Sequence, residues 1–200
     1  MAGTCTVTNT GRFDAHRLLI GRDWPTHGMT IVGHACSRNV RHCLELALSS
    51  NVPGDFVELG VWRGGESLYA RAVLNARLGV PERRAGSSRL VHLFDAFGLI
   101  KGYGLASDFL AVKLPAVKSN FETYGLTEGV HYHPGLFNES LPRFYARHKA
   151  KHSSLKFQIA VLRIDGNATL AKAISTRCTT CGSSCRSAAS SSSTTSIMRL

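Results

Sequence analysis

Apolar and polar residues follow two periods along this chain, and together they predict alternating strands and helices. Apolar residues recur at helical spacing in some segments, and short apolar runs lie between those segments. The predicted strands are 56–61, 90–94, 130–133 and 157–164, and the predicted helices are 40–48, 69–76, 112–124 and 140–151. Strands that alternate with helices form a parallel sheet covered on both faces. The pattern therefore predicts an α/β fold with a doubly wound parallel sheet.

The two ends of the chain do not share this pattern. We expect residues 1–25 to be an irregular lead and residues 26–167 to form the folded domain. Residues 168–200 are rich in serine, alanine and threonine and have no hydrophobic period. Such a segment cannot bury a face against a core, so we predict a disordered tail and an incomplete sheet.

The most informative segment is the end of the first predicted strand. Residues 56–65 are Phe-Val-Glu-Leu-Gly-Val-Trp-Arg-Gly-Gly, an apolar strand that leads into a glycine loop and then a helix. Gly60, Gly64 and Gly65 allow a tight turn and the close approach of a ligand that a Cβ atom would exclude. The spacing is Glu-x-Gly-x-x-x-Gly rather than Gly-x-Gly-x-x-Gly. It suits a ligand without a pyrophosphate, which favours S-adenosylmethionine (SAM) over NAD.

The other predicted strands end at Asp95, near Gly135 and at Asp165. The carboxyl ends of parallel strands meet at one rim of the sheet, where ligands bind. Asp95 could accept both ribose hydroxyls of a nucleoside, or it could cap a helix. Glu58 could hold the methionine end of SAM or its loop, or it could face solvent. An acid such as Asp165 is costly to bury alone, so it indicates a metal or polar ligand, a salt bridge to Arg163, or a turn.

Composition indicates a globular protein with a large positive charge. The 200 residues are 44% hydrophobic and 18% charged, with a formal net charge of +11. No apolar stretch reaches the roughly 18 residues of a membrane span, so no membrane partner is expected. Residues 1–13 lack the apolar core of a signal peptide, which favours a cytoplasmic location. The basic residues at 143–156 lack interleaved aromatics, so a solvated face is favoured over nucleic-acid binding.

Several cysteines and histidines are candidate site residues. Cys178, Cys181 and Cys185 could begin a zinc or iron–sulfur site, but no fourth ligand follows, so none is predicted there. His131 and His133 flank the third strand, where a packed or solvated histidine is favoured over one that approaches a substrate.

Five motifs occur in an order that resembles one enzyme family. They are Gly-Met-Thr at 28–30, Pro-Gly-Asp-Phe-Val-Glu-Leu-Gly-Val-Trp-Arg-Gly-Gly at 53–65, Leu-Phe-Asp-Ala-Phe at 93–97, Gly-Leu-Phe-Asn-Glu-Ser-Leu-Pro at 135–142 and Leu-Arg-Ile-Asp-Gly-Asn at 162–167. The chain resembles the macrocin O-methyltransferase family (TylF/MycF type) of SAM-dependent sugar methyltransferases. The resemblance implies a Rossmann-like class I methyltransferase sheet, with about four of its seven strands present. It also implies methyl transfer to a hydroxyl, often on a sugar of a natural product, with a divalent metal that is usually Mg²⁺.

The resemblance also implies roles for individual residues. The residues expected to bind SAM are Thr30, Glu58, Gly60, Arg63, Gly64, Gly65 and Asp95, with Arg63 placed to meet the SAM carboxylate. Asp165 is the expected metal ligand and catalytic base. The expected partner is a small-molecule hydroxyl acceptor, and a homo-oligomer is one alternative for the oligomeric state.

The sequence departs from the family pattern after Asn167. The family holds its metal with the aspartate that matches Asp165 and with an Asp-Asp pair after the next strand, and that pair is missing. We hypothesise that the tail is translated out of frame. Codons for serine, threonine and alanine, shifted by one base from Cys178 onward, can encode a helix end, a turn, a strand and an Asp-Asp pair.

Three functions follow from these observations. The first is an O-methyltransferase, with weak or no activity in this chain because metal ligands are lost. The second is a non-catalytic pseudoenzyme that binds SAM or a nucleotide. The third, a basic nucleic-acid-binding protein that uses residues 143–156 and the tail, is the least favoured.

Overall fold

The computed structural model describes residues 14–21, 27–79, 89–99, 107–151, 157–165 and 194–196. The helices are α1 (Ala15–Leu19), α2 (His34–Ser49), α3 (Gly65–Leu78), α4 (Ser107–Leu110), α5 (Leu114–Thr123) and α6 (Phe137–Lys151). The strands are β1 (Asp55–Leu59), β2 (Val91–Asp95), β3 (Val130–Pro134), β4 (Ile159–Ile164) and β5 (Thr194–Ser196). The four predicted strands and the four predicted helices are all present, with small shifts at their ends.

The strands form one sheet in the order β3-β2-β1-β4-β5. Strands β1 to β4 pair in parallel, and β5 pairs with β4 in the antiparallel direction. The chain builds outward from β1 to β3 and then crosses back to place β4 on the other side of β1. This reversal creates a topological switch point between β1 and β4, the position where open α/β sheets bind ligands. The predicted doubly wound α/β fold is confirmed.

Alternate residues of each strand contribute to two apolar layers. Phe56 of β1 and Val161 of β4 pack with buried residues of α2, α3 and α5 on one face. Val57 of β1 and Leu162 of β4 pack on the other face, against Phe144 of α6. Both faces of the parallel strands are therefore covered, and polar side chains on them need partners within the protein. In the described residues, no helix is long and apolar enough to cross a membrane.

Three short elements were not predicted, namely α1, α4 and β5. Helix α1 lies in the expected irregular lead, and Asp14 caps it by accepting hydrogen bonds from the backbone N–H of His16 at 2.9 Å and of Arg17 at 3.0 Å. Five residues are too few to show a helical period, so the pattern could not reveal α1. Strand β5 gives three residues of the predicted tail a regular structure, because they pair with Leu162–Ile164. The rest of the tail, including its three cysteines, lies outside the described residues.

Two glycines bring the end of the α1 segment against the start of α2. Gly21 has a φ of +69°, and a Cβ atom there would lie 2.5 Å from the backbone N of Gly33. A Cβ atom at Gly33 would in turn lie 2.6 Å from the backbone N of Gly21. The two backbones therefore approach more closely than any pair of side-chain-bearing residues allows.

A chain of hydrogen bonds runs from β1 to β3 on the α6 face of the sheet. Asp55 Oδ2 lies 3.2 Å from His92 Nε2, and His92 Nδ1 lies 3.0 Å from His133 Nε2. Phe94 stacks on the His133 ring at 4.3 Å between centroids. Burial, together with the charges of His92, His131, His148 and Arg147, lowers the pKa of His133 to about 3.

We predict that His133 makes the fold sensitive to acid. A histidine with a lowered pKa stabilises the native state above its unfolded pKa of about 6.5, and this contribution is lost as the pH falls below that value. Between about pH 7.5 and about pH 5.5, the wild type should lose about 1 kcal/mol more unfolding free energy than His133→Gln. Denaturant unfolding at the two pH values measures the difference, and parallel pH profiles for the two proteins would contradict it. The pKa of Glu58 is shifted in the opposite direction, but both proteins contain Glu58, so its effect cancels in the comparison.

Candidate functional site

The carboxylate of Asp95 fastens the loop after β1 to the loop after β2. Its Oδ2 accepts hydrogen bonds from the backbone N–H of Val61 at 2.7 Å and of Trp62 at 3.3 Å. Its Oδ1 accepts from the backbone N–H of Phe97 at 2.9 Å. The Oδ1 contact, with a residue two positions further along the chain, is a local turn bond, whereas the Oδ2 contacts reach the loop after β1. Asp95 therefore shapes the glycine loop directly.

The loop between β1 and α3 has a backbone that favours glycine. Gly60 and Gly64 both have a φ of +89°, in the left-handed region. Gly60 donates its N–H to the carbonyl of Phe94 at 2.9 Å, which places the loop and Asp95 on the same rim of the sheet. Gly64 caps α3, and a Cβ atom there would lie 3.0 Å from the ring of Phe121. These two predicted glycines shape the turn into α3.

The segment 28–30 lies against the first turn of α3. Gly65 donates its N–H to the carbonyl of Met29 at 2.9 Å, and a Cβ atom at Gly65 would lie 2.4 Å from that oxygen. Arg63 Nη1 donates to the carbonyl of Gly28 at 2.8 Å. Thr30 Oγ1 donates to Glu66 Oε1 at 3.2 Å. Because this approach leaves no room for a Cβ atom, position 65 requires glycine where the motif at 53–65 contacts the motif at 28–30.

A buried ion pair links β1 to β4 at the switch point. Glu58 and Arg163 are register partners on the two strands, and they are only 1% and 2% exposed. Glu58 accepts hydrogen bonds from Arg163 Nη1 and from Ser67 Oγ of α3. The alternative that Glu58 faces solvent is therefore wrong, because its side chain points into the layer between the sheet and α3.

Arg163 also holds the candidate metal ligand. Its Nη2 donates to Asp165 Oδ2 at 2.6 Å, so the salt bridge considered as an alternative for Asp165 is present. Burial raises the pKa of Glu58 to about 7, although Arg163 and Ser67 favour its charged form. Burial alone would lower the pKa of Arg163, but the nearby carboxylates raise it above its ordinary value, so the guanidinium stays charged.

The described residues do not assemble a site for a divalent metal. Within them, no group of three or more histidine, cysteine, aspartate or glutamate side chains could hold a metal ion. Asp165 already shares its carboxylate with Arg163. Residues 166–200, where the family's further ligands are expected, contain no aspartate or glutamate. The donor set of the described residues therefore does not fit the Mg²⁺ that the family resemblance implies.

Comparison with known proteins agrees with the motifs and the fold. The family model described as Macrocin-O-methyltransferase (TylF) matches residues 3–173. The chain belongs to the macrocin O-methyltransferase (TylF) family.

Curated relatives of this chain are named as O-methyltransferases. One is 8-demethyl-8-(2,3-dimethoxy-alpha-L-rhamnosyl)-tetracenomycin-C 4'-O-methyltransferase of Streptomyces olivaceus, 36% identical over 81% of this chain and 61% of the relative. Another is mycinamicin III 3''-O-methyltransferase of Micromonospora griseorubida, 35% identical over 74% of this chain and 58% of the relative. The chain thus spans about three fifths of the length of these relatives.

Solved structures of methyltransferases have the same fold. The O-methyltransferase NovP superimposes with a TM-score of 0.69 and 25% identity, over 92% of this chain and 88% of NovP. The calicheamicin methyltransferase CalS11 superimposes with a TM-score of 0.57 and 13% identity, over 84% of this chain and 81% of CalS11, and shows the fold alone.

For this member of the TylF family, the predicted site residues lie at neighbouring strand ends. Four of them surround the start of α3, namely Thr30, Arg63, Gly64 and Gly65. The other four lie at the ends of β1, β2 and β4 or directly after them, namely Glu58, Gly60, Asp95 and Asp165. The pattern analysis missed Glu66 and Ser67, which are only 4% and 0% exposed. They lie on the buried face of α3, one turn before Ala70 and Arg71, but their polar side chains give no apolar signal in the sequence.

We predict that Gly65 is sensitive to a single added methyl group. Gly65→Ala would press a Cβ atom against the Met29 carbonyl, so it should cost about 1–3 kcal/mol of stability, as overpacking does. Gly98→Ala is the matched control, because the nearest atom to its Cβ would be the Ala96 carbonyl oxygen at 3.9 Å. The control should stay within about 0.5 kcal/mol of the wild type. Denaturant unfolding measures both, and equal stabilities would show that segment 28–30 does not lie against α3.

Proposed function

We propose that this chain is a SAM-dependent O-methyltransferase whose acceptor is a hydroxyl of a sugar or another natural product. The observation that carries the proposal is that Asp95 holds the glycine loop at the rim of the sheet by hydrogen bonds. Both belong to the part of the chain that matches the TylF family. The named relatives, which act on glycosylated natural products, support the acceptor class.

Bound SAM supplies an electrophilic methyl group, so the protein mainly has to bind and orient its ligands. The glycine loop gives the ligand close access to the backbone, and Asp95 keeps that loop in place. An acceptor hydroxyl must lose a proton, and Asp165 at the end of β4 is the proposed base. Arg163 Nη2 donates a hydrogen bond to one of its oxygens, which orients the carboxylate.

We propose further that catalysis by this chain is weak. Arg163 competes with any cation for Asp165, and the part of the chain that the structure describes lacks a complete donor set for Mg²⁺. The favoured alternative, a SAM-binding protein without catalysis, gains support from the same observation. Cytoplasmic location and homo-oligomer formation remain predictions.

Binding of S-adenosylhomocysteine tests the cofactor. We expect calorimetry to detect it with the wild type and to show about tenfold or more weaker binding with Asp95→Asn, since the amide cannot accept every bond that the carboxylate accepts. Glu128→Gln is the control, because Glu128 is exposed in the loop before β3, at the opposite rim. Absence of binding by the wild type would contradict the proposed function.

Methyl transfer to a panel of deoxysugar glycosides separates the enzyme from the pseudoenzyme. With SAM, the wild-type chain should turn over far below the ordinary range of about 1–10³ s⁻¹, and added Mg²⁺ should change the rate little. Mass spectrometry of the glycosides measures the product. Transfer at an ordinary rate that depends on Mg²⁺ would show that the metal site is complete and that our assessment of Asp165 is wrong.

A further inference from the structure

A cavity of about 50 Å³ lies between the end of β3 and the middle of α6. Its polar walls are His133 of β3 and Ser140, Arg143 and Arg147 of α6. A space of this size holds several water molecules, so it has room for a tetrahedral oxyanion of five heavy atoms. The cavity lies against β3, the strand at one end of the sheet, whereas the candidate site lies where β1, β2 and β4 end.

Two arginines give the cavity a positive charge. Arg143 and Arg147 are exposed and lie four residues apart, so they are neighbours on one side of α6. Among the described residues, neither forms an ion pair, although Glu139 precedes Arg143 by one turn. Guanidinium groups match the oxygens of a phosphate in geometry and charge. The arginines therefore favour an anion as the occupant of the cavity.

His133 is oriented by a hydrogen-bond chain from the interior of the sheet. Its Nε2 lies 3.0 Å from His92 Nδ1, and His92 Nε2 lies 3.2 Å from Asp55 Oδ2. Because an ionised carboxylate only accepts, His92 carries a proton on Nε2. With both rings neutral, His92 Nδ1 accepts from His133 Nε2, and His133 Nδ1 is left as an acceptor.

The free nitrogen of His133 remains available at the cavity wall. In the part of the chain that the structure describes, His133 Nδ1 has no hydrogen-bond partner, and it is not a fully buried atom. The pKa of His133 is lowered to about 3 by burial and by nearby charges that include Arg147, so its ring is neutral at pH 7. The cavity thus combines two cationic donors with one neutral acceptor.

This combination restricts the kind of anion that fits. An acceptor nitrogen repels the lone pairs of an oxyanion that carries no proton, such as sulfate, but it pairs with an O–H group. Inorganic phosphate near pH 7 keeps at least one O–H, whereas the phosphodiesters of a nucleic acid have none. The basic residues of α6 are therefore better explained by a small protonated anion than by a nucleic acid.

We propose that the cavity between β3 and α6 binds a hydrogen phosphate group, which Arg143 and Arg147 hold by its charge and whose O–H donates to His133 Nδ1. The group is inorganic phosphate or the singly protonated form of a phosphate monoester. This site is separate from the proposed SAM site, and its occupation does not require methyl transfer.

Calorimetry at pH 7 in a buffer without other oxyanions tests the proposal with inorganic phosphate and sulfate. The two ions have the same shape, and the doubly charged form of phosphate differs from sulfate by one proton. The wild type should bind phosphate about tenfold or more tightly than sulfate, because sulfate leaves His133 Nδ1 without a donor.

Substitutions separate the contribution of charge from that of the acceptor. Arg147→Gln should weaken the binding of both ions about tenfold or more. Arg41→Gln is the control, because it removes the same charge from an exposed ion pair on α2, and it should change both affinities by less than about twofold. His133→Leu should reduce phosphate binding to the level of sulfate and should leave sulfate binding at least as tight, which also shows that the variant is folded.

Glucose 6-phosphate distinguishes the two sources of the group. At about pH 6, where about half of a monoester keeps its proton, binding as tight as that of inorganic phosphate would identify a phosphate ester as the ligand. Much weaker binding would identify the free ion, since the cavity then has no room for the sugar.

Equal affinity of the wild type for phosphate and sulfate would overturn the role of His133. Equal weakening by Arg147→Gln and Arg41→Gln would show that the net charge of the protein, and not this cavity, attracts the anion. If an RNA oligonucleotide bound and inorganic phosphate did not, the proposal would be replaced by nucleic-acid binding.

Discussion

The buried ion pair between Glu58 and Arg163 is the interaction on which the rim of this sheet depends. It joins β1 to β4 at the switch point, in the layer between the sheet and α3, where Glu66 and Ser67 are also buried. Breaking a buried pair from one side leaves an unpaired charge and costs about 3–5 kcal/mol, whereas an exposed pair is worth about 1 kcal/mol or less. Asp165 takes its orientation from the same guanidinium, and Ser67 ties α3 to the same carboxylate.

This arrangement is poorly explained by stability alone. A hydrophobic pair of similar volume would fill the same space without desolvating two charges. The structure instead places three carboxyl groups around one guanidinium, and three buried polar atoms, Glu66 Oε2, Arg71 Nη2 and Arg163 Nε, have no partner among the described residues. Local conflicts of this kind concentrate at functional sites. The acid-rich end of the rim and the Asp95 end have different chemistry.

Much of this fold could be predicted from the sequence, because both strand and helix periods are strong between residues 40 and 164. The glycine loop was also predictable, since Gly60 and Gly64 adopt backbone angles that other residues rarely adopt. The pairing of Glu58 with Arg163 was not, because it depends on the register of two strands that lie 105 residues apart. Glu66 was missed because a charged residue in the first turn of a helix usually faces solvent, and only the packing of segment 28–30 buries it.

The reciprocal contact of Gly21 with Gly33 limits how this protein can evolve. Each glycine leaves no room for a Cβ atom at the other, even if its partner stays unchanged. A substitution at one position cannot be rescued by a smaller residue at the other, because none exists. Neither position can therefore accept another residue, and homologues that keep this backbone crossing should retain both glycines.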